Sequence, residues 1–136
     1  MKNFLILLLI IVSSCSEADD PIECKPSIVN NDKYLNSESD EFTFKDVDLE
    51  SQNCLKITVI YGGGCGEVSA TLVDSGDVLE SDPAQRNLRF LFTDNDECEK
   101  LKERTFYFDL TNLQIEDDNR ILLNFQNIDQ TVLYEY

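Results

Sequence analysis

Residues 55–73 read LKITVIYGGGCGEVSATLV, and their pattern decides the fold class. Ahead of the glycines, Leu55, Ile57, Val59 and Tyr61 alternate with Lys56, Thr58 and Ile60. Behind them, Val68, Ala70 and Leu72 alternate with Ser69, Thr71 and Val73. Successive side chains of a strand point to opposite faces, so a period of two on both sides of a turn predicts two strands with one buried face each. The spacing predicts an antiparallel hairpin. Gly62, Gly63, Gly64 and Gly66 would supply positive φ angles at its tip, with Cys65 among them as a covalent tie.

The same alternation recurs on either side. Glu41–Leu49 (EFTFKDVDL) turns Phe42 and Phe44 inward, then Val47 and Leu49 after a shift of phase, which predicts a bulge or a break between two short strands. Asn87–Thr93 places Leu88, Phe90 and Phe92 on one face, and Thr105–Leu110 does the same with Phe106, Phe108 and Leu110. Ile121–Phe125 and Thr131–Tyr136 add two strands, while Ser27–Val29 and Tyr34–Leu35 predict one edge strand. Asp74–Asp77 and Glu80–Pro83 read as turns bounding a long connection, and Asp94–Arg104 as a polar loop with a single helical turn around Glu97–Glu103. No segment keeps a 3.6-residue period over a helix length, and no internal repeat is evident. Seven or eight strands at about ten-residue spacing predict an all-β chain: a single antiparallel β-sandwich of immunoglobulin-like size over residues 23–136.

The first fourteen residues stand apart from that domain. Lys2 gives a positive start, Phe4–Val12 (FLILLLIIV) is unbroken apolar sequence, and Ser13 and Ser14 precede Cys15. The run is short for a spanning helix and too apolar for a surface strand, so residues 1–14 read as a signal peptide. Val12-Ser13-Ser14-Cys15 resembles the lipobox of bacterial lipoproteins. That resemblance implies a Cys15 acylated on its thiol and amine, by diacylglyceryl and an amide-linked chain such as palmitate; an ordinary cleaved signal peptide is the plainer alternative. More than one acyl chain makes release from a membrane slow. Residues 15–22 then form an acidic tether. Glu17, Asp19 and Asp20 behind the lipid cysteine resemble the export tags of surface lipoproteins in Bacteroidetes-type bacteria, against a solvated linker facing the periplasm. The expected address is the outer membrane, lipid-anchored, periplasmic or surface-facing.

Four further cysteines, Cys24, Cys54, Cys65 and Cys98, allow three pairings in an exported domain. Cys54 begins a strand of about seven residues and Cys65 lies beyond its far end, roughly 20 Å away at 3.3 Å per residue. A disulfide needs Cα atoms within about 7 Å, which excludes that pair. The strand after Cys54 runs up, Val68–Val73 runs down and Asn87–Thr93 runs up, placing Cys98 at the end that holds Cys65. Cys24 reaches the lower end with Cys54. The expected bridges are Cys24–Cys54 and Cys65–Cys98; a metal site or reactive thiol is the rival reading, opposed by the lack of CxxC and histidine.

Charge and absences bound the function. Without residues 1–14 the chain keeps 10 basic and 27 acidic side chains, a net charge of −17 that would repel nucleic-acid backbones, so no nucleic-acid partner is expected. With no histidine, Ser-His-Asp and Cys-His catalysis and histidine-ligated zinc are excluded; with no tryptophan, Tyr34, Tyr61, Tyr107, Tyr134 and Tyr136 are left to serve as sugar-stacking platforms, some of them belonging to the core. Gly62–Gly66 lacks the Gly-Lys-Ser/Thr ending of a phosphate loop. Asp94, Asp96 and Glu97 offer oxygen ligands at close spacing as a weak calcium candidate, though without the glycine and distant glutamate of an EF-hand. Glu116–Asn119 is a fainter version. No other metal and no cofactor are expected.

Four segments, YGGGCGE at 61–67, ESDPAQ at 80–85, DEC at 96–98 and FDLTNL at 108–113, are similar to small lipoproteins of Bacteroidetes-type bacteria. The likeness implies a β-sandwich with a Cys65–Cys98 bridge and imports no activity. Val68 stands where those relatives often carry histidine, so a histidine-dependent role does not carry over. The expected function is therefore non-enzymatic: a lipid-anchored envelope module that binds a protein or a glycan, contacts being carried by Gly62–Glu67 and Asp94–Glu103. The alternatives are a structural accessory subunit of an outer-membrane complex and a small carboxylate-dependent hydrolase.

Overall fold

The computed structural model describes residues 20–126 and 128–136; the proposed leader and Cys15 lie outside them. In chain order the elements are β1 (Lys25–Pro26), β2 (Ile28–Val29), α1 (Asn31–Asn36), β3 (Thr43–Ser51), β4 (Cys54–Gly63), β5 (Val68–Leu79), β6 (Ala84–Asp94), β7 (Lys100–Asp109), a 3-10 turn (Thr111–Leu113), β8 (Arg120–Phe125) and β9 (Thr131–Glu135). They form two sheets, ordered β1-β7-β4-β3 and β2-β5-β6-β8-β9. The all-β sandwich with two disulfides is what the alternation and the cysteine spacing predict.

Facing residues of the two sheets make one core. Leu55, Ile57, Val59, Phe106 and Phe108 come from the first sheet; Leu72, Leu88, Phe90, Phe92, Ile121, Leu123 and Tyr134 come from the second. Each such side chain stabilises the fold by about 1.5–3 kcal/mol on leaving water. Phe42 caps this core edge-on, its ring centroid 5.1 Å from that of Phe90 and 5.9 Å from that of Phe92. The phase shift in β3 is a bulge between Phe44 and Asp46, which lets Phe44, Val47 and Leu49 all pack against the core.

The central expectation needs correcting: β4 and β5 are not a hairpin. β4 pairs with β3 and β7, whereas β5 pairs with β6 and β2, so the glycine stretch is an arch that carries the chain from one sheet to the other. A period of two shows which face of a strand is buried and says nothing about which neighbour it bonds. An arch reverses direction as a hairpin does, which is why the disulfide argument survives. The glycines also act differently from expectation. Of those four, only Gly64 has a positive φ, +120°. A Cβ on Gly63 would lie 2.4 Å from Tyr61 Cε2 and 2.8 Å from Asp96 Oδ2, and one on Gly66 would lie 2.9 Å from Asp96 Cα. Close approach, not backbone angle, requires glycine at those two places.

Three smaller expectations also change. Asp74–Asp77 is not a turn: β5 runs through it to Leu79, with a bulge against β6 between Asp74 and Val78. Asp74 is fully buried there, its Oδ1 accepting from Gly76 N–H at 2.7 Å and from Arg86 Nη1 at 3.0 Å, so a charge pair inside the fold absorbs the local turn preference. Tyr34–Leu35 belongs to α1, capped by the Asn30 side chain accepting from Lys33 N–H at 2.8 Å. Lys100–Arg104 is strand rather than loop or helical turn, because β4 extends to Gly63 and offers it a full ladder.

The start of the domain closes one side of the sandwich. β1 lies parallel to β7 at Phe108–Asp109, and β2 lies parallel to β5 at Val73–Asp74, so the chain steps from one sheet to the other at Ser27. Ser27 is buried, donating from N–H to Asp109 O at 3.1 Å and from Oγ to Asn112 Oδ1 at 2.6 Å. Cys24–Cys54 anchors this strap at the lower end.

Candidate functional site

The upper end of the sandwich gathers the two loops singled out by sequence. Gly64–Glu67 joins the sheets, Asn95–Glu99 joins β6 to β7, and the Cys65–Cys98 disulfide ties one to the other with Cα atoms 5.8 Å apart. Asp96 adds a second clasp. Its Oδ2 accepts from Gly64 N–H at 2.6 Å and from Cys65 N–H at 3.0 Å, and its Oδ1 accepts from Cys98 N–H at 2.9 Å. Desolvation at the rim pushes the Asp96 pKa up, but amide donation from Cys98, Gly66, Cys65 and Gly64 outweighs it and holds the carboxyl below its ordinary value. A carboxylate cradled by consecutive amides is an anion in a backbone nest.

That arrangement bears on the metal readings. The sulfurs of Cys65 and Cys98 and an Asp96 oxygen lie within 4.8 Å of one another. Sulfurs joined to each other are not thiolate ligands, however, and Cys65 Sγ, 3.0 Å from Asp96 Oδ1, has no proton to share. The calcium candidates do not converge. Asp94 Oδ1 accepts from Asp96 N–H at 2.8 Å, Asp96 is turned onto amides, and Glu97 is exposed. A cation at Asp96 would face the amide hydrogens already aimed at those oxygens.

Beside the clasp lies an open groove of about 470 Å³ lined by Glu41, Phe42, Thr43, Ile60, Tyr61, Gly62 and Leu101. Leu101 is paired with Gly62 across the β4–β7 ladder and is 79% exposed, the most exposed large apolar side chain among the described residues. Without a side chain at Gly62, Leu101 has little to pack on and presents itself to the groove. A second depression, about 330 Å³, sits at the other end between Ser81–Ala84, Asp118–Arg120 and Glu135. It is polar, and its Asp82 is solvent-exposed and paired with Arg120 at 3.2 Å. The Glu116–Asn119 acidic turn contributes Asp118 and Asn119 to it.

The chain matches no family model and no curated protein. It is similar in fold to two solved structures. One is a protein of unknown function, DUF1344, from Bacteroides vulgatus, with a TM-score of 0.55 at 16% identity over 83% of this chain and 57% of that one. The other is described as toxin-related, from Parabacteroides distasonis, with a TM-score of 0.50 at 16% identity over 83% of this chain and 59% of that one. The chain thus spans less than three fifths of either neighbour, and the likeness establishes the sandwich alone.

Sequence reasoning placed Cys65, Cys98, Asp94, Asp96 and Glu97 at one end correctly but missed two things there. The role of Asp96 as a clasp had a faint signal, an Asx residue two positions before a cysteine. The exposure of Leu101 had a better one: KLKER at 100–104 alternates cations with Leu101 and Glu103, a two-residue period inside a stretch whose polarity suits a loop.

Proposed function

We propose that this is a non-catalytic binding module, held at the outer membrane through a lipidated Cys15 and presenting the upper rim to a protein or glycan. The observation that carries the binding reading is the pairing of a rigid rim with an exposed apolar residue. Two loops that each cross from one sheet to the other are joined by Cys65–Cys98 and by the Asp96 clasp, and Leu101 stands beside them at a groove lined by Phe42, Ile60 and Tyr61. Loops already ordered lose little conformational freedom on binding, and an exposed apolar side chain at a groove gains by leaving water when a partner covers it. The address rests on the apolar run at Phe4–Val12 followed by Ser13-Ser14-Cys15. Periplasmic or surface orientation follows from whether the tether is read as an export tag.

The test is capture from native envelopes with the tagged full chain, compared with Leu101→Glu and with Leu133→Glu, an exposed leucine on the other sheet, and run alongside a glycan array. A specific partner or glycan lost with Leu101→Glu and kept with Leu133→Glu supports the reading. Absence of any partner, or equal retention by both variants, refutes it. A partner retained by both would favour the accessory-subunit alternative with another surface in contact.

A further inference from the structure

The sandwich is closed unevenly on the side where the chain enters. β1 covers β7 only at Phe108 and Asp109, so on that side Lys100–Tyr107 carries no neighbouring strand among the described residues. β2 likewise pairs with β5 only at Val73 and Asp74, so on that side Val68–Leu72 carries no neighbouring strand among the described residues. Between the two edges lies a groove of about 160 Å³ lined by Val68, Arg104, Thr105, Phe106 and Tyr107, and bounded below by Glu23 and Lys25. An open strand edge is a row of unpaired amides and carbonyls, and natural folds either protect it or use it.

The charges on this edge are unusual for the molecule. Lys100, Lys102 and Arg104 are three of the ten basic residues from Cys15 onward, and they alternate, so they share one face of β7. The four ion pairs of the described residues engage Lys45, Lys56, Arg86 and Arg120, and none of these three. All three are exposed. Cations on an edge also deter pairing between copies: antiparallel self-pairing centred on Lys102 would set Lys100 against Arg104 and Lys102 against Lys102. The same pattern favours a strand of opposite charge.

We propose that the open edge of β7 at Lys100–Tyr107 accepts an extended acidic segment of a partner protein as an added strand, its carboxylates over Lys100, Lys102 and Arg104 and its alternate, apolar side chains over Leu101. This rests on the binding-module reading and names the partner chemistry for it. The backbone ladder supplies attraction that is blind to sequence, and the alternating cations select the charge. The net charge of −17 opposes an acidic partner at long range, but exposed charges are screened beyond about 8 Å at physiological salt, so the local cluster decides. An anionic glycan would meet the cations without using the ladder, which makes an extended peptide the better fit.

The experiment uses fluorescence anisotropy with the detergent-purified full chain and a labelled ten-residue peptide alternating Glu and Val. Binding is expected, weakened at least tenfold when Lys replaces Glu in the peptide and at least tenfold when alternate peptide amides are N-methylated. Lys100→Glu/Lys102→Glu should weaken it tenfold or more with the melting temperature unchanged. Equal binding of the N-methylated peptide, with polygalacturonate competing as well as the peptide, would overturn the proposal in favour of a glycan surface. No binding at about 1 mM peptide would also overturn it. If the edge fails these tests while Leu101→Glu still abolishes envelope capture, the binding-module reading stands without this edge.

Discussion

Replacing Arg86 by Met should unsettle the lower half of the sandwich far more than its position near a strand end suggests. Asp74 is fully buried, and its side chain has two links, both to Oδ1: Gly76 N–H at 2.7 Å and Arg86 Nη1 at 3.0 Å, while Oδ2 has no partner among the described residues. Arg86 is itself nearly buried and donates from Nε to Leu113 O at 2.8 Å. Removing one partner of a buried pair costs about 3–5 kcal/mol, because the other charge is left uncompensated. At about 4 °C per kcal/mol for a domain of this size, the melting temperature should fall by about 12–20 °C. The sign with pH is fixed by Asp74. Burial raises its pKa, against the opposing pull of Gly76 and Arg86. A raised folded pKa means that the neutral acid adds stability at low pH, and that this is lost as pH rises through the folded value. Without Arg86 the carboxylate is worse placed, so the deficit should be largest near pH 8 and smallest near pH 4. Urea unfolding followed by circular dichroism at both pH values measures it. Because Oδ2 is unsatisfied even in the native pair, Asp74→Leu/Arg86→Met should recover most of the loss. A deficit under about 1 kcal/mol at pH 8, or one equal at the two pH values, would refute this reasoning.

Other expectations follow from the upper rim and the leader. Cys65→Ala/Cys98→Ala opens a loop spanning 33 positions and should cost about 3.8 kcal/mol by chain entropy, read from the shift in urea midpoint. Gly66→Ala drives a Cβ to 2.9 Å from the Asp96 backbone, which cannot swing aside, and should lower stability by about 1–3 kcal/mol in the same assay. The Asp96 pKa is lowered, so its contribution is present above the unfolded value near 3.9 and is lost as pH falls through the folded one. The stability gap between the native chain and Asp96→Ala should therefore be full at pH 6 and close toward pH 2. Mass spectrometry of the envelope-extracted protein should find an N-terminal fragment beginning at acylated Cys15, and Cys15→Ala should abolish the lipid.

The features legible in the sequence are those governed by local periodicity and covalent reach. Phe90 and Phe92, or Phe106 and Phe108, announce a buried face by themselves, and the 3.3 Å rise per residue is enough to separate Cys54 from Cys65. Partner choice was not legible: the alternation around Gly62–Gly66 suits a hairpin and an arch equally, and only the ladder of β4 with β7 distinguishes them. Turn residues misled wherever a tertiary contact outbid them, as at Asp74, where Arg86 holds the bulge inside a strand. KLKER at 100–104 looked like a loop because its polarity outweighs its period, yet that mismatch marks an exposed edge. The cysteines and acids of the rim were visible one by one; that Asp96 would close on the amides of Gly64, Cys65 and Cys98 was not.

The claim on which the rim, its groove and its open edge all depend is that the glycine stretch crosses between sheets. Cross-strand nuclear Overhauser contacts decide it directly. The arch predicts backbone contacts of Val59 with Arg104 and Phe44, and of Ala70 with Phe92. Backbone contacts running from Tyr61–Val68 down to Ile57–Leu72, as in a β4–β5 ladder, would contradict it.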